Sequence, residues 1–451
     1  MRWVIYNLLF AIVYVAMVPH FWLRMRKRGG YRARFNDRFG RYGKVVETAL
    51  AGESGAPRPT WIHAVSVGEV YVAGQFMRAL RQQQPGIRFV LSTTSSTGWR
   101  EAEKQLGEGD TLIYNPLDFP WCVRRALAAI RPQRLILAES EIWPNLLRAC
   151  ARRDIPVYLV NARVSDRSAP GYRKLRLWFG PVLRGMRLIL AQSELDRERL
   201  LAAGADGERV VVVGSAKFDV AQRDEQREAE MGEVLTSSGV SGDDTLILGG
   251  STWPGEELFL LETFKRLRQG RDNLRLALAP RHFERAAEVA EVISAAGFRC
   301  IRRSMLGAGE GSASDLSRCV GRGDEVLLID TTGELVGYYG RADIVFVGKS
   351  LYAHGGQNMV EPCLHGAAVV VGPHTENFRP AMADLLAAGG IIQVDDPEAL
   401  AGELMRLVDD PAARRELGQR GMALVKERRG VVLRSAAMIL SDQASRVSSD
   451  L

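Results

Sequence analysis

The sequence predicts an α/β protein made of two doubly wound, Rossmann-like domains that face a cleft and follow an N-terminal membrane-anchor helix. Three observations predict this class. The chain has 451 residues, more than one hydrophobic core usually covers. Two successive series of short apolar segments alternate with helical stretches, as parallel βα units do. The chain also begins with a long apolar stretch that is followed by a group of basic residues.

The composition excludes several classes of protein. Apolar residues make up 46% of the chain and charged residues 25%, which is ordinary for a globular protein and excludes wholesale disorder. The formal net charge is +7, and residues 1–40 carry all of this excess. The neutral remainder argues against a broad nucleic-acid surface, so we expect no nucleic-acid partner. The five cysteines form no C-x-x-C pair, so we expect neither a disulfide framework nor a cysteine metal site, and a reducing compartment fits best.

Residues 1–40 are predicted to associate with membrane lipids. The stretch 3–23 is mostly apolar, although Asn7 and Pro19 interrupt it, and about 20 apolar residues are needed to cross a bilayer. Only Arg2 precedes this stretch and no small-residue cleavage site follows it, so we expect an uncleaved anchor. The basic residues after it place the body on the cytoplasmic face of the cytoplasmic membrane. A spanning helix and a helix lying in the interface both remain open, because the proline shortens the usable span.

The apolar segments divide the rest of the chain. Nearly continuous apolar runs are typical of parallel strands that are covered on both faces. The first series comprises 61–65, 89–94, 112–114, 135–138, 157–161, 188–191 and 210–213, and the second 246–250, 274–280, 326–330, 344–348 and 368–372. The predicted organisation is an anchor (1–40), an N-terminal domain (41–220), a linker (221–244), a C-terminal domain (245–425) and a final helix with a polar tail (426–451). The glycine- and serine-rich stretch 307–323 is predicted to be a loop without site residues.

Charged residues follow several strands of the first series. Glu69 lies where a helix should begin, which the helix dipole alone would favour, but a carboxylate at a strand end can also take a proton from a hydroxyl. Glu139 and Glu141 follow another strand, and two close carboxylates need a cation, a shared proton or solvent. Arg163 and Lys217 follow further strands. Together these residues indicate a cleft for an anionic substrate.

The second series carries loops that suit a nucleotide. Glycine-bearing segments precede helices at 249–257, 330–335 and 354–362, and Arg281 follows a strand. Such loops can present free N–H groups to a phosphate, and an early acid such as Glu361 can accept bonds from ribose hydroxyls. No G-x-x-x-x-G-K-[ST] is present, which excludes a P-loop NTPase, and the lack of a clean G-x-G-x-x-G disfavours a dehydrogenase. The six histidines form no compact ligand set in the sequence, so no metal is expected.

Ten segments, in this order, resemble the 3-deoxy-D-manno-octulosonic acid (Kdo) transferases that act on lipid A precursors. They are HAVSVGE, AESEIWPN, NARVSDRSAPGY, AQSELD, GSAKFD, GGSTWPGEE, APRH, DTTGEL, GGQNMVEP and GPHTENF. The resemblance implies a GT-B glycosyltransferase of the inner membrane in lipopolysaccharide core biosynthesis. Its donor would be CMP-Kdo and its acceptor a tetraacyl disaccharide lipid A precursor, with no cofactor and no metal.

The resemblance also implies roles for individual residues. Glu69 would be the general base of an inverting transfer, and Glu139 and Lys217 would be the family's stabilising pair. The implied nucleotide contacts are Pro280, Arg281, Thr332, Gly333, Glu334, Asn358, Met359, Val360 and Glu361.

The sequence departs from the family pattern at a few of these positions. Thr332 stands where the family often has methionine, Met359-Val360 replaces a more usual pair, and Lys349 follows Gly348 where a small residue is expected. Two alternatives therefore remain: a GT-B transferase that uses another nucleotide sugar, such as a UDP-hexose, on a membrane acceptor, and a non-catalytic membrane scaffold of the same fold.

Overall fold

The structure, a computed structural model, describes residues 2–28, 34–52, 55–221, 223–306 and 324–449. The predicted loop at 307–323, Arg32 of the basic group and the last two residues of the tail lie outside these ranges. Two parallel seven-stranded sheets with helices between the strands confirm the predicted α/β class.

The bounds of the described elements follow the chain. The strands are Thr60–His63 (β1), Phe89–Thr93 (β2), Thr111–Tyr114 (β3), Arg134–Ala138 (β4), Val157–Ala162 (β5), Leu188–Ala191 (β6), Val210–Val212 (β7), Thr245–Thr252 (β8), Leu274–Pro280 (β9), Arg299–Arg302 (β10), Glu325–Leu328 (β11), Ile344–Val347 (β12), Ala368–Val371 (β13) and Ile392–Gln393 (β14). The helices are Arg2–Arg28 (α1), Lys44–Ala51 (α2), Val67–Gln83 (α3), Ser96–Glu103 (α4), Pro120–Ile130 (α5), Pro144–Ala151 (α6), Ala169–Lys174 (α7), Arg176–Arg184 (α8), Glu194–Ala202 (α9), Lys217–Val220 (α10), Glu225–Ser237 (α11), Glu256–Leu267 (α12), Ala286–Ala295 (α13), Leu335–Tyr339 (α14), Val360–Leu364 (α15), Arg379–Ala387 (α16), Pro397–Asp409 (α17), Pro411–Arg428 (α18) and Val431–Ser449 (α19).

The first sheet has the strand order β3-β2-β1-β4-β5-β6-β7. Strands β1 to β5 are fully buried, which accounts for their continuous apolar runs. The order reverses between β1 and β4, so the loops after these two strands flank a topological switch point. Ligands of doubly wound sheets bind at such points, beyond the carboxyl ends of the strands.

The second sheet has the order β10-β11-β9-β8-β12-β13-β14, and its switch point lies between β8 and β12. The five predicted strands of this half are present, but the predictions missed β10 and β14. Both are edge strands, and an edge strand needs no continuous apolar run. β10 mixes arginine with apolar residues and β14 has two residues, so neither carried a recognisable pattern.

The chain divides into two compact units whose bounds differ from the predicted domains. The first unit runs to Val220 and resumes at Gly430, and the second comprises Ala221–Arg429. The predicted linker 221–244 contains helix α11 of the second unit, where Met231 is buried and Arg227 Nη1 donates to the Gly333 carbonyl. Most of the charged residues of this helix are exposed, but Glu228 is buried and pairs with Arg223.

The C-terminal segment belongs to the first unit. Helix α18 continues to Arg428, beyond the predicted domain end at 425, and the chain turns at Gly430, whose φ of 85° favours glycine. Val432, Ala436 and Ile439 of α19 then join the core that β1, β4 and α3 share. The predicted separate segment 426–451 is wrong in this respect, because its apolar stripe completes the first domain.

The N-terminal helix α1 contains a stretch, Trp3–Phe21, that is long and apolar enough to cross a membrane. Two cations of the predicted basic group do not extend freely into solvent. Arg34 Nη1 donates to the Leu112 carbonyl at 2.9 Å, and Arg38 Nη2 donates to the Thr94 carbonyl at 2.7 Å. These two residues therefore attach the segment after α1 to the first sheet.

If α19 completes the first core, truncating one of its buried side chains should destabilise the protein. We expect Ile439→Ala to lower the free energy of unfolding by about 2–5 kcal/mol, since the change leaves a cavity. The matched control on the same helix is Leu433→Ala, because this leucine is exposed and its loss should cost about 0.5 kcal/mol or less. Urea unfolding followed by tryptophan fluorescence measures both, and equal losses would show that α19 is not part of the core.

Candidate active site

Glu69 lies in the first turn of α3 because Ser66 caps this helix. Ser66 Oγ accepts from the Glu69 N–H at 3.2 Å, and Glu69 Oε2 accepts from the Val65 N–H at 2.8 Å. The Ser66 hydroxyl also donates to Glu69 Oε1 at 2.9 Å. The serine cap and the bonds that Glu69 accepts from Val65 and Ser66 together fix the carboxylate at the carboxyl end of β1.

Burial raises the pKa of Glu69, and the negative charges of Glu139 and Glu141 raise it further, although the bonds from Val65 and Ser66 lower it in part. Glu69 is largely buried, with 9% of its surface exposed. A carboxylate with a raised pKa is a better proton acceptor than an ordinary glutamate. The same side chain therefore takes part in the helix cap and presents a carboxylate with a raised pKa at the end of the strand.

Glu139 directly follows β4 and has the left-handed φ of 57°, which is unfavourable for a residue with a side chain. Its Oε2 forms an ion pair with Arg163 Nε at 2.8 Å, and its Oε1 lies 3.4 Å from Asn161 Nδ2. Asn161, at the end of β5, has a φ of 52° and accepts from the Ala216 N–H. The backbone is thus strained at the ends of the neighbouring strands β4 and β5, and the polar side chains of Glu139 and Asn161 lie close together there.

Lys217 begins the short helix after β7. Burial lowers its pKa to about 8, while the Glu139 carboxylate raises this pKa and the Arg163 charge lowers it. The three predicted catalytic residues, Glu69, Glu139 and Lys217, are thus brought together at the carboxyl edge of the first sheet.

Sequence reasoning did not assign Asn161 or His63 to this site. His63 is fully buried at the end of β1, where its Nδ1 lies 3.0 Å from Ser92 Oγ and its Nε2 lies 3.7 Å from Glu141 Oε2. The Trp143 indole N–H donates to the same carboxylate oxygen at 2.9 Å. His63 is the last residue of β1 and Asn161 the last but one of β5, and that position was the signal that could have found them.

The predicted nucleotide residues of the second domain fall into several groups. Pro280 ends β9 and Arg281 follows it. The charge of Arg281 and a bond with Asn358 lower the pKa of Glu361, but burial outweighs both and raises it to about 7. Asn358 Oδ1 also accepts from the Val360 N–H at 3.1 Å.

Other predicted nucleotide residues have their side chains engaged elsewhere. Met359 and Val360 are fully buried, so neither presents its side chain to a ligand. The Glu334 carboxylate forms a bidentate pair with Arg303, with Nε at 3.0 Å and Nη2 at 3.1 Å. Gly333 has a φ of 86° and Thr332 is exposed, so this turn presents its backbone.

Glu256 fixes the switch point of the second sheet, which sequence reasoning did not foresee. It is fully buried, and its carboxylate accepts from the backbone N–H groups of Trp253, Lys349, Ser350 and Leu351 at 2.8–3.1 Å. Lys349 has the left-handed φ of 58°, and its ammonium lies 4.8 Å from the centre of the Trp253 ring. This cation–π contact accounts for a lysine where the family pattern favours a small residue.

His354, His374 and Glu376 also come together, although the histidines form no compact set along the chain. Their possible ligand atoms lie within 4.8 Å of one another. Glu376 Oε1 lies 3.2 Å from His354 Nδ1 and 3.4 Å from His374 Nδ1. Burial raises the pKa of Glu376, but hydrogen bonds, including one from Gly355, and the charge of His374 lower it to about 2.

Comparisons with known proteins bear on the whole chain. A family model described as 3-deoxy-D-manno-octulosonic-acid transferase (kdotransferase) matches residues 33–220. The 3-deoxy-D-manno-octulosonic acid transferase of Bordetella pertussis is 35% identical over 427 residues, covering 92% of this chain and 93% of its own. The protein of the same name from Haemophilus influenzae is 32% identical over 90% of each chain. The structure of a glycosyltransferase from Rickettsia africae matches with a TM-score of 0.54 at 13% identity, over 85% of this chain and 97% of that one, which shows a shared fold.

The two doubly wound domains, with acids at the strand ends of one and glycine-bearing loops in the other, have the GT-B fold. The chain belongs to the 3-deoxy-D-manno-octulosonic acid transferase family and is a Kdo transferase. The resemblance seen in the sequence is thereby confirmed.

The ion-pair geometry predicts how Lys217 responds to a change at Glu139. We expect Glu139→Gln to lower the pKa of Lys217 below about 8, because the Glu139 carboxylate favours the charged ammonium. In the variant that carboxylate is gone, and the positive charge of Arg163 still disfavours the ammonium. The pH dependence of amine labelling at Lys217, read by mass spectrometry, measures the shift. Glu101→Gln is the control, since that glutamate pairs with Lys104 instead. An unchanged or raised labelling pKa in Glu139→Gln would contradict the proposed coupling.

Proposed function

We propose that this enzyme transfers Kdo from CMP-Kdo to a tetraacyl disaccharide lipid A precursor at the cytoplasmic face of the inner membrane, in lipopolysaccharide core biosynthesis. Glu69 acts as the general base. The observation that carries this proposal is a buried glutamate with a raised pKa at the switch point of the first sheet, in a chain of the Kdo transferase family.

The reaction is a direct displacement. The Glu69 carboxylate takes the proton of a sugar hydroxyl on the acceptor while that oxygen forms a bond to the anomeric carbon of Kdo. The bond from this carbon to the phosphate oxygen breaks, and CMP leaves with its electron pair. A single displacement inverts the anomeric centre. Glu139 and Lys217 stabilise the site, since their opposite charges offset each other beside the reacting sugar.

The second domain holds the nucleotide. Arg281 balances part of the charge that the departing phosphate gains. The exposed turn at Thr332 and Gly333 presents its backbone N–H groups to the ligand, and the Glu361 carboxylate accepts bonds from ribose hydroxyls. These groups stabilise the leaving charge without a divalent ion, so we expect transfer in the presence of a chelator even though His354, His374 and Glu376 form a possible ligand set.

Glu69→Gln separates catalysis from folding. Glutamine can still accept the bond from the Val65 N–H, but it cannot accept the proton, so we expect transfer to fall by about 10²–10⁴-fold with CMP binding unchanged. The measurement is transfer of labelled Kdo from CMP-Kdo, made in situ, to the lipid A precursor in detergent with chelator.

Ser66→Ala is the matched control for this prediction. It removes the cap and keeps the base, so it should cost about 1 kcal/mol of stability while transfer continues. Transfer by Glu69→Gln at the wild-type rate would overturn the assignment of the base. A wild-type protein that binds UDP in preference to CMP would instead indicate another nucleotide sugar, and a folded protein that binds CMP without transfer would indicate a scaffold.

The raised pKa of Glu361 predicts how donor binding depends on pH. Below pH 7 this carboxyl group is protonated and cannot accept two ribose bonds, so CMP affinity should rise with pH up to about 7, by at most about tenfold per pH unit. The CMP phosphate also titrates, with a pKa of about 6. The contribution of Glu361 is therefore the difference between wild type and Glu361→Gln in the pH dependence of CMP affinity. Calorimetry should show a shallower pH dependence in that variant, and identical curves would exclude Glu361 from the nucleotide site.

A further inference from the structure

Helix α1 is attached along its first half to the N-terminal domain. The Tyr6 hydroxyl donates to Asp118 Oδ2 at 2.8 Å, and the side chains of Asn7 and Asn145 are joined by a 2.7 Å hydrogen bond. Phe10 and Tyr14 pack edge-on against Phe119, with ring centres at 5.0 and 5.4 Å. Asp118 and Asn145 are themselves buried, so these contacts belong to a built interface.

This attachment limits how much of α1 is free to cross a bilayer. Beyond Tyr14 the helix continues over residues 15–28, which span about 21 Å at 1.5 Å per residue. The hydrocarbon core of a bilayer is about 30 Å thick. Meanwhile Leu8, Ile12 and Val15 on the unattached side are each more than half exposed. A helix with one face on its own domain and an apolar face outward suits the plane of the membrane surface.

A basic groove lies beside the attached part of α1. It has a volume of about 370 Å³ between Asn7 of α1 and the outer sides of α5 and α6. Its lining includes the four arginines Arg124, Arg148, Arg152 and Arg153. Trp121, which also lines it, is about half exposed, as tryptophans at membrane surfaces are.

The charge of this groove is not balanced by acids. Within the described ranges of the chain, none of its four arginines forms an ion pair with a carboxylate, and the neighbouring Asp154 forms none either. Burial and the charge of Arg152 lower the pKa of Arg148, whose guanidinium lies 4.6 Å from the centre of the Trp3 ring. Four cations in one groove repel one another, and an anion among them would remove that repulsion.

We propose that α1 lies in the plane of the membrane surface and that the arginine groove binds the phosphate of an anionic phospholipid of the same leaflet. Guanidinium groups bind phosphate through paired hydrogen bonds, and the exposed face of α1 continues into the acyl region beside it. The groove lies on the outer side of α5 and α6, and none of its residues is among those assigned to the transfer reaction. The occupant is therefore a lipid of the bilayer rather than the acceptor substrate.

Vesicle flotation of the full-length protein tests this proposal. The vesicles contain phosphatidylcholine alone or phosphatidylcholine with a minority of phosphatidylglycerol. We expect wild type to prefer the anionic vesicles and the triple variant Arg148→Gln, Arg152→Gln, Arg153→Gln to lose this preference, by about fivefold per arginine removed. The matched control Arg100→Gln, Arg266→Gln, Arg415→Gln removes the same charge from exposed sites elsewhere and should bind as wild type does.

Two results would overturn the proposal. The first is equal binding of anionic vesicles by the triple variant and the control, with both variants folded by circular dichroism. The second is a triple variant whose KM for the lipid acceptor in detergent rises with the loss of vesicle binding, because the groove would then hold the acceptor's phosphate. Vesicle binding requires no transfer reaction, so failure here and failure of the proposed function can be told apart.

Discussion

The repulsion among three carboxylates at the switch point of the first sheet is the constraint on which the site depends. Glu69, Glu139 and Glu141 meet where solvent is largely excluded, and carboxylates so placed cannot all be charged without nearby cations. Arg163 and Lys217 supply that charge on the side of Glu139. Within the described residues Glu69 forms no ion pair with a cation, and burial together with the two neighbouring carboxylates raises its pKa, which is the property that a general base requires.

The two domains use buried glutamates differently. In the second domain, Glu256 accepts four backbone N–H groups and thereby fixes the loops after β8 and β12. In the first domain, Glu69 accepts one backbone N–H and one hydroxyl and faces two other carboxylates. The first arrangement fixes backbone that can receive a nucleotide. The second leaves a carboxylate able to exchange a proton with an acceptor.

Much of the architecture could be predicted because fully covered parallel strands require continuous apolar runs, as β4 and β12 show. The edge strand β10 was missed because exposure on one side removes that requirement. The assignment of α19 failed because sequence neighbours do not reveal which core an amphipathic helix completes. Local patterns likewise located Glu69 and Glu139, but not the approach of His354 to Glu376, which depends on how two loops return to the same edge.

We propose a single displacement at the anomeric carbon with Glu69 as base. Its most direct test is the anomeric configuration of the transferred Kdo, determined by NMR on the product and compared with that of the donor. We expect inversion, because the acceptor oxygen attacks from the side opposite to the departing CMP. Retention would contradict it, since that outcome requires either a covalent intermediate or attack on the same side as departure.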